Sequence, residues 1–224
     1  MAPRVLIGTS GYSYADWVGP VYPEGTRSQD FLSLYARDFP VVELNFSYYK
    51  QPSARTLERM VALTPPSFRF AIKAHRSITH EISESWDADV AAFKEGIQPL
   101  VGSGRLASVL AQFPHGFAYT PASRERLAKV CESFQGLSLA VEFRRREWQR
   151  EQVLDGLRTR GVSLVSVDEP DLPGLLPPTE EATGPFGYIR FHGRNAATWW
   201  TGDNASRYDY LYSPQELTEW VDRI

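Results

Sequence analysis

Short runs rich in β-branched and aromatic residues recur along the chain, and a segment with helical spacing of apolar positions follows most of them. Leu127, Val130, Cys131 and Phe134, for example, stand three or four residues apart, as on one face of a helix. The alternation predicts strands followed by helices. The seven predicted strands cover residues 5–10, 41–45, 69–75, 107–112, 137–143, 164–168 and 188–192.

Residues that cap helices stand before several of the helical segments. A Ser or Thr in this position accepts a hydrogen bond from the first turn of the helix. Thr120 is followed by Pro121, which suits the first helical position, and Ser213 precedes Glu216 at the spacing of a capping box. The predicted helix starts are Ser28, Ser53, Thr120 and Ser213.

Regular alternation of strands and helices forces the strands to pair in parallel, because each helix carries the chain back across the sheet. Residues 8–12 lack the glycine pattern of a dinucleotide-binding turn, so we expect no nucleotide cofactor and favour a barrel over a Rossmann sheet. We predict an α/β fold, a TIM-type (β/α) barrel forming a single domain over residues 1–224. Residues 169–186 contain five prolines and are predicted to be an extended loop.

The predicted strand count is one short of a closed eight-stranded barrel, and the sequence ends in a helical segment. We therefore expect either an incomplete barrel or a chain truncated at its C-terminus, without an eighth strand and a last helix.

Composition narrows the class of protein. The chain has 224 residues, a net charge of −3 and one cysteine, Cys131, so no intrachain disulfide forms. It shows no signal peptide and no apolar run near the roughly 20 residues that span a bilayer. We predict a cytoplasmic protein that does not associate with membranes. The net charge gives no general reason to expect nucleic acid, although a local basic patch stays open, and the oligomeric state is not indicated.

Ionisable and amide side chains recur at the ends of the predicted strands. In a barrel strand alternate residues face the interior, and active sites form at the carboxyl ends. Buried charges are costly unless they are paired or used in chemistry. The alternative is a structural network in which these charges neutralise one another. The residues predicted to face inward are Glu43, Asn45, Lys73, His75, Gln112, Glu142, Asp168, Arg190 and His192.

At these positions the sequence resembles the YecE-like family, a TIM-barrel-like domain of unknown function (family 72). The resemblance lies in blocks at residues 8–12 with Trp17, 42–45 with Tyr48-Tyr49, 70–73 with Thr79-His80, 111–114, 141–144 with Trp148, and 188–193 with Tyr212-Ser213. It implies a barrel without a settled activity, similar to sugar isomerases and to the metal-dependent endonuclease that cuts at abasic DNA sites. The C-terminal strand with paired asparagines, usual in that family, does not occur here.

Three functions stay open. The first is a metal-dependent hydrolase or isomerase with a divalent cation. The second is metal-free acid–base chemistry on a small anionic or sugar-like substrate, with Lys73 as a base and Arg144 and Arg190 gripping the anion. The third is nucleic-acid binding by loop aromatics and Arg144–Arg146, with or without cleavage.

We lean towards an enzyme, a hydrolase, isomerase or lyase, acting on a phosphorylated or sugar-like substrate at the mouth of the barrel. The predicted catalytic residues are Glu43, Lys73, Glu142, Asp168 and His192. The predicted substrate-binding residues are Tyr12, Trp17, Asn45, Tyr49, His80, Gln112, Arg144, Arg190 and Tyr212. The candidate metal ligands are Glu43, Glu142, Asp168 and His192, with His75 or His80 as further candidates.

Overall fold

A computed structural model describes residues 4–81 and 83–224 and divides the chain into two compact units. The first unit comprises Met1–Ala111 and Gly136–Ser138, and the second comprises Gln112–Gln135 and Leu139–Ile224. The single domain expected from the sequence stays a prediction. In the described residues no helix is long and apolar enough to cross a membrane.

The first unit contains four parallel strands that pair in the order of the sequence. The short strand β1 pairs closely with β2, and a Cβ on Gly8 would lie 2.0 Å from the carbonyl oxygen of Val41, so only glycine fits there. The strands are β1 (Gly8–Ser10), β2 (Val41–Leu44), β3 (Arg69–Lys73) and β4 (Leu106–Gln112, whose last residue belongs to the second unit). The helices are α1 (Phe31–Asp38), α2 (Phe46–Tyr49), α3 (Ala54–Ala62), α4 (Arg76–Thr79), α5 (Trp86–Gly96) and α6 (Gln98–Gly102).

The second unit contains three parallel strands, again paired in sequence order. Its core includes Val141, Val165 and Val167, which are fully buried, and Cys131 on α7, which is 4% exposed, as the apolar stripe predicted. The strands are β5 (Leu139–Glu142), β6 (Ser163–Asp168) and β7 (Tyr188–Phe191). The helices are α7 (Pro121–Ser133), α8 (Glu151–Arg160), α9 (Asn204–Tyr208) and α10 (Pro214–Val221).

The seven predicted strands and the α/β class are confirmed, with the strand–helix alternation of a TIM-type barrel and seven strands among the described residues. The first strand is shorter than predicted, since residues 4–7 form no strand. Residues 169–186 form neither helix nor strand, as the prolines predicted.

Three of the four predicted helix caps are confirmed. Ser53 accepts from the Thr56 amide, Thr120 accepts from the Ser123 amide, and Ser213 forms a complete capping box with Glu216. The prediction at Ser28 was wrong. Residues Ser28–Asp30 form a 3-10 turn before α1, so the helix begins three residues later, without a side-chain cap.

Candidate functional site

The second unit surrounds one carboxylate with three basic side chains. Glu142, the last residue of β5, has a fully buried side chain. Arg144 Nε lies 2.7 Å from its Oε1, and Arg190 donates from Nη1 to its Oε2 at 2.6 Å. His192 Nε2 lies 3.4 Å from Oε1. The structure therefore brings these four predicted residues together where β5 and β7 end.

The surroundings of Glu142 and His192 lower the pKa values of both residues. Burial raises the pKa of Glu142, but the guanidinium groups of Arg144 and Arg190 outweigh it and hold that pKa well below its usual value. Burial, reinforced by the positive charge of Arg144, lowers the pKa of His192 to about 4. At neutral pH an ionised carboxylate and an uncharged imidazole thus lie beside two cations.

A second carboxyl group joins this arrangement through Arg144. Glu169 directly follows β6, and its side chain is 1% exposed. Arg144 Nη1 donates to Glu169 Oε2 at 3.0 Å, and a backbone hydrogen bond from Leu176 also lowers the pKa of this carboxyl. Burial raises the pKa of Glu169 to about 7, with Arg144 opposing the rise and Glu142 adding to it. We call Glu142, Arg144, Glu169, Arg190 and His192 the Glu142 cluster.

The three consecutive arginines are each paired with an acid. Arg144 forms ion pairs with Glu142 and Glu169. Arg145 Nε lies 2.8 Å from Glu147 Oε1, and Arg146 Nη2 lies 3.7 Å from Asp171 Oδ1. These ion pairs partly balance the positive charge of the run, and its contact with phosphates of a nucleic acid stays a prediction.

Asp168 lies outside the Glu142 cluster, although the parity of β6 assigns it to the same inward set. Its Oδ1 accepts from Arg194 Nε at 2.9 Å and from the Tyr212 hydroxyl at 2.8 Å. Its Oδ2 accepts from Arg194 Nη2 at 2.7 Å and from the indole of Trp220 at 2.6 Å. Both oxygens therefore have two hydrogen-bond donors each. The carboxylate links β6 to α10 and to the segment after β7 by these hydrogen bonds.

The placement of Asp168 on the inward face and its role in catalysis stay predictions, because all six residues of β6 are buried. Ser166, on the same parity as Asp168, exchanges hydrogen bonds with the backbone of Thr179 in the proline-rich loop. A strand buried on both faces has no alternation of apolar and polar burial by which its faces are distinguished. Glu169, on the opposite parity, is the residue that reaches Arg144.

Two further predicted residues of the second unit, Tyr212 and Gln112, form hydrogen bonds with the backbone or with Asp168. The Tyr212 hydroxyl accepts from the Gly193 amide at 2.9 Å while it donates to Asp168. Gln112 donates from Nε2 to the carbonyl oxygen of Phe113 at 3.2 Å. These hydrogen bonds run to Asp168 and to the backbone, outside the Glu142 cluster, and the role of both residues in substrate binding stays a prediction.

The first unit contains a separate polar group at the ends of β1 and β2. Glu43 is 7% exposed, and its Oε1 accepts from Ser10 Oγ at 2.9 Å and from Asn45 Nδ2 at 3.1 Å. Asn45 Oδ1 is buried, and no residue in the described part of the chain donates a hydrogen bond to it. The prediction that Glu43 and Asn45 point the same way is consistent with this contact, and their part in catalysis stays a prediction.

Lys73 and His80 meet at an aromatic ring in the first unit. Lys73 Nζ lies 4.5 Å from the centre of the Tyr48 ring, and the His80 ring packs edge-on against the same ring at 4.9 Å. His80 Nδ1 is 2.8 Å from the Thr79 hydroxyl. Tyr49, which is 70% exposed, packs its ring edge-on at 5.0 Å from Tyr48.

The remaining predicted residues of the first unit pack against neighbouring rings or cap a helix. Tyr12 lies 6.2 Å from the Tyr35 ring, and Trp17 lies 4.9 Å from the Tyr14 ring. His75 accepts from the Ser77 amide and caps α4, so a structural role explains its position. Sequence reasoning leaves this cap unassigned, because histidine is an uncommon capping residue.

The candidate metal ligands do not fit a divalent cation. Among residues 4–81 and 83–224 no three His, Cys, Asp or Glu side chains are grouped so that they could hold a metal ion. Glu142 is paired with two guanidinium groups, and Asp168 is saturated by donors. We therefore derive no chemical step through a metal.

The sequence of this chain is similar to those of one protein family and its curated members. The family model described as "Protein of unknown function DUF72" matches residues 6–224. The chain belongs to the DUF72 family. It is 35% identical to the UPF0759 protein YunF of Bacillus subtilis, over 98% of this chain and 83% of YunF. It is 29% identical to the UPF0759 protein YecE of Escherichia coli K12, over 79% of this chain and 63% of YecE.

Solved structures of DUF72 proteins share the fold. One from Thermotoga maritima superimposes with a TM-score of 0.89 at 42% identity, covering 97% of this chain and 85% of that one. Another from Enterococcus faecalis gives a TM-score of 0.86 at 30% identity, covering 99% and 83%. The resemblance to YecE-like proteins is thereby confirmed, and these relatives establish no substrate.

Sequence reasoning missed two residues of the second unit that the structure makes prominent. Glu169 was assigned to the proline-rich loop, although a carboxylate directly after a buried strand was an available signal. Arg194 lies two residues beyond His192, outside the predicted strand, and pairs with Asp168 and Glu216. Only the fold brings Arg194 to Asp168, because 26 positions separate them in the chain.

Proposed function

We propose that the protein is an enzyme that uses general acid–base chemistry on a small anionic substrate, phosphorylated or sugar-like, at the Glu142 cluster. The observation that carries this proposal is that Arg144 bridges two buried carboxyl groups whose pKa values lie on opposite sides of the usual range. Glu142 stays ionised, whereas the pKa of Glu169 is about 7. Carboxyl groups separated in this way are typical of acid–base sites.

The charge of the cluster supports an anionic substrate. Arg144 and Arg190 contribute two positive charges, and Glu142 contributes one negative charge. The cluster is therefore positive whenever Glu169 holds its proton and neutral when it does not. Arginine binds phosphate and carboxylate groups through paired N–H donors, which suits both classes of substrate.

The groups divide into positioning and proton-transferring roles. Arg144 and Arg190 would orient the anion, and Glu142 would hold both guanidinium groups in place as their buried counter-charge. Glu169 would donate and accept the proton, because a pKa near the working pH is the most effective for general catalysis. His192, uncharged at neutral pH, would act as a hydrogen-bond partner of the substrate.

The test is exchange of substrate hydrogen with solvent. A panel of sugar phosphates is incubated with the protein in heavy water, and deuterium incorporated at carbon is followed by NMR. We expect incorporation into at least one member, reduced about 100-fold or more by Glu169→Gln. The matched control is Asp171→Asn, which removes an exposed carboxylate from the same loop.

Two results would contradict the proposal. The first is exchange that Glu169→Gln leaves unchanged, and the second is absence of both exchange and anion binding with the whole panel. Tight binding of abasic duplex DNA with a steep loss of affinity at higher salt would instead favour the nucleic-acid alternative. The catalytic and substrate-binding roles of Glu43, Lys73 and the other predicted residues of the first unit stay predictions.

A further inference from the structure

Helices α7 and α8 of the second unit border a cavity of about 170 Å³ that no residue of the Glu142 cluster lines. An apolar cavity of roughly 150 Å³ is large enough to hold benzene, so this one has room for a single six-membered ring. Its apolar walls are formed by the buried side chains of Leu127, Cys131, Trp148, Val153 and Leu157.

Gly156 in α8 leaves part of this cavity open. A Cβ added at Gly156 would meet no atom closer than Arg160 Nη1, which lies 3.7 Å away at the end of a flexible side chain. Gly156 lies inside the helix and does not have a positive φ. Glycine destabilises a helix interior relative to alanine, because it loses more conformational freedom on folding. Neither the packing nor the backbone therefore requires glycine here, and its effect is to keep the space beside α8 free.

Two arginines at the mouth of the cavity make it positive. Arg124 in α7 and Arg160 in α8 both line the cavity and are exposed, and none of the other residues that line it is acidic. Arg124 packs over the Tyr119 ring at 5.4 Å, and Arg160 donates from Nη1 to the carbonyl oxygen of Gly156 at 3.0 Å. Within residues 4–81 and 83–224 neither guanidinium group forms an ion pair with an acid, so both keep donors for a ligand.

The positive charge extends to the cavity wall. Burial raises the pKa of the Cys131 thiol to about 11, Arg160 opposes that rise, and Glu132 adds to it less strongly than Arg160 opposes it. A further cation, Arg150, lies 4.5 Å from the centre of the Tyr119 ring. An anion at the mouth is therefore attracted by an excess of positive charge, whereas an ammonium group is repelled.

We propose that the cavity beside α7 and α8 is a binding site for a small aromatic carboxylate, whose ring lies among the apolar walls and whose carboxylate is bound by Arg124 and Arg160. Guanidinium groups bind carboxylates through paired N–H donors, and both side chains are exposed and able to bend over a bound ligand. The site lies beyond the proposed acid–base function and does not depend on it, because the residues of the Glu142 cluster do not line it.

The test compares benzoate, benzyl alcohol and benzylamine, which share one ring and differ in charge, as ligands of the full chain. Binding is followed by NMR shifts of the Leu127, Val153 and Leu157 methyl groups, which line the cavity. We expect benzoate to bind about tenfold more tightly than benzyl alcohol. This ratio corresponds to about 1.4 kcal/mol, which two partly exposed ion pairs provide. Benzylamine should bind more weakly than benzyl alcohol.

Replacement of both arginines by glutamine removes the charge and keeps polar side chains at the mouth. We expect the double variant, Arg124→Gln with Arg160→Gln, to bind benzoate and benzyl alcohol about equally. The matched control is Arg158→Gln, which removes a neighbouring arginine that is paired with Glu151 and does not line the cavity. This control should keep the wild-type preference for benzoate.

Substitutions at Gly156 test the apolar part of the site. Gly156→Leu places a side chain in the cavity and should abolish the methyl shifts with all three probes. Gly156→Ala should raise the melting temperature through its better helix propensity and weaken the binding of benzoate about threefold or more. Should Gly156→Leu fail to fold, the smaller Gly156→Ala still tests whether filling this space costs affinity.

Three outcomes would overturn the proposal. Absence of methyl shifts with benzoate means that the cavity takes no such ligand. Equal affinity of the wild type for benzoate and benzyl alcohol, or an unchanged preference in the double variant, means that the two arginines do not bind the carboxylate. Tightest binding of benzylamine means that the ligand class is cationic. None of these measurements involves turnover, so a failed exchange assay under the proposed function leaves them interpretable.

Discussion

Glu169 makes a quantitative prediction about stability and pH. The folded protein raises the pKa of this carboxyl from 4.5 to about 7. The folded state therefore binds the proton more tightly than the unfolded chain. The contribution of Glu169 to stability is greatest below pH 4.5 and is lost as the pH rises through about 7. Replacement by glutamine, which keeps the shape and cannot ionise, removes this dependence.

The size of the effect follows from the shift. One pKa unit corresponds to about 1.36 kcal/mol, and part of the loss has already occurred at pH 5, where the unfolded carboxyl is mostly ionised. Between about pH 5 and about pH 8 the wild type should lose about 2.5 kcal/mol that Glu169→Gln does not lose. Other titrating groups, His192 among them, are common to both proteins and cancel in the difference.

The assay is urea unfolding of both proteins at the two pH values, followed by tryptophan fluorescence. The free energy of unfolding of the variant, relative to wild type, should rise by about 2.5 kcal/mol from the lower to the higher pH. Asp171→Asn, which alters a carboxylate whose side chain is 98% exposed, should show no such rise. A difference that stays constant within about 0.5 kcal/mol would falsify the conclusion that burial dominates the environment of Glu169.

Four further predictions concern the second unit. Glu142→Gln leaves two guanidinium groups without their buried counter-charge and should lower the free energy of unfolding by about 3–5 kcal/mol, measured in urea. Trp220→Phe removes one donor to the ionised Asp168 and should cost about 1.5–3 kcal/mol, measured by thermal unfolding. His192 has a pKa of about 4 when folded, so the unfolded chain takes the proton first. Stability should therefore fall by about 3 kcal/mol as the pH drops from about 6.5 to about 4, and His192→Asn should remove that part of the fall. Burial raises the pKa of the Cys131 thiol to about 11, so it should react with a thiol reagent only after unfolding; rapid reaction of the native protein would contradict this packing.

The sequence predicted the fold well because the relevant signals are local. Each strand is a short run bounded by turn residues, and the caps at Ser53, Thr120 and Ser213 act within three residues. Ser28 shows the limit of this reasoning, because a 3-10 turn that begins there has the same first residue type as a capped helix. Only the geometry of the next three residues distinguishes the two.

The residues of the candidate site were harder to predict, because they depend on which face of each strand a side chain lies on and on which neighbouring residues it contacts. Glu142, Arg190 and His192 were correctly grouped, since β5 and β7 end in ionisable residues at matching parity. In β6 apolar and polar residues alternate from Val165 to Asp168, but all six residues of the strand are buried, so the pattern does not show which neighbours the polar ones contact. No local signal decides whether Asp168 or the next residue meets Arg144.

The two adjacent carboxyl groups at the end of β6, those of Asp168 and Glu169, lie in different environments. Asp168 receives four hydrogen bonds from three donor residues, so its charge is fully compensated and its pKa is lowered. Glu169, one position later, receives one hydrogen bond from a side chain, that of Arg144, and its pKa is raised to about 7 by burial. A carboxylate saturated with donors is a poor proton acceptor, whereas one whose pKa burial raises is suited to exchange a proton near neutral pH. Saturation by donors, more than ionisable character alone, therefore distinguishes Asp168 from Glu169 as a candidate for proton transfer.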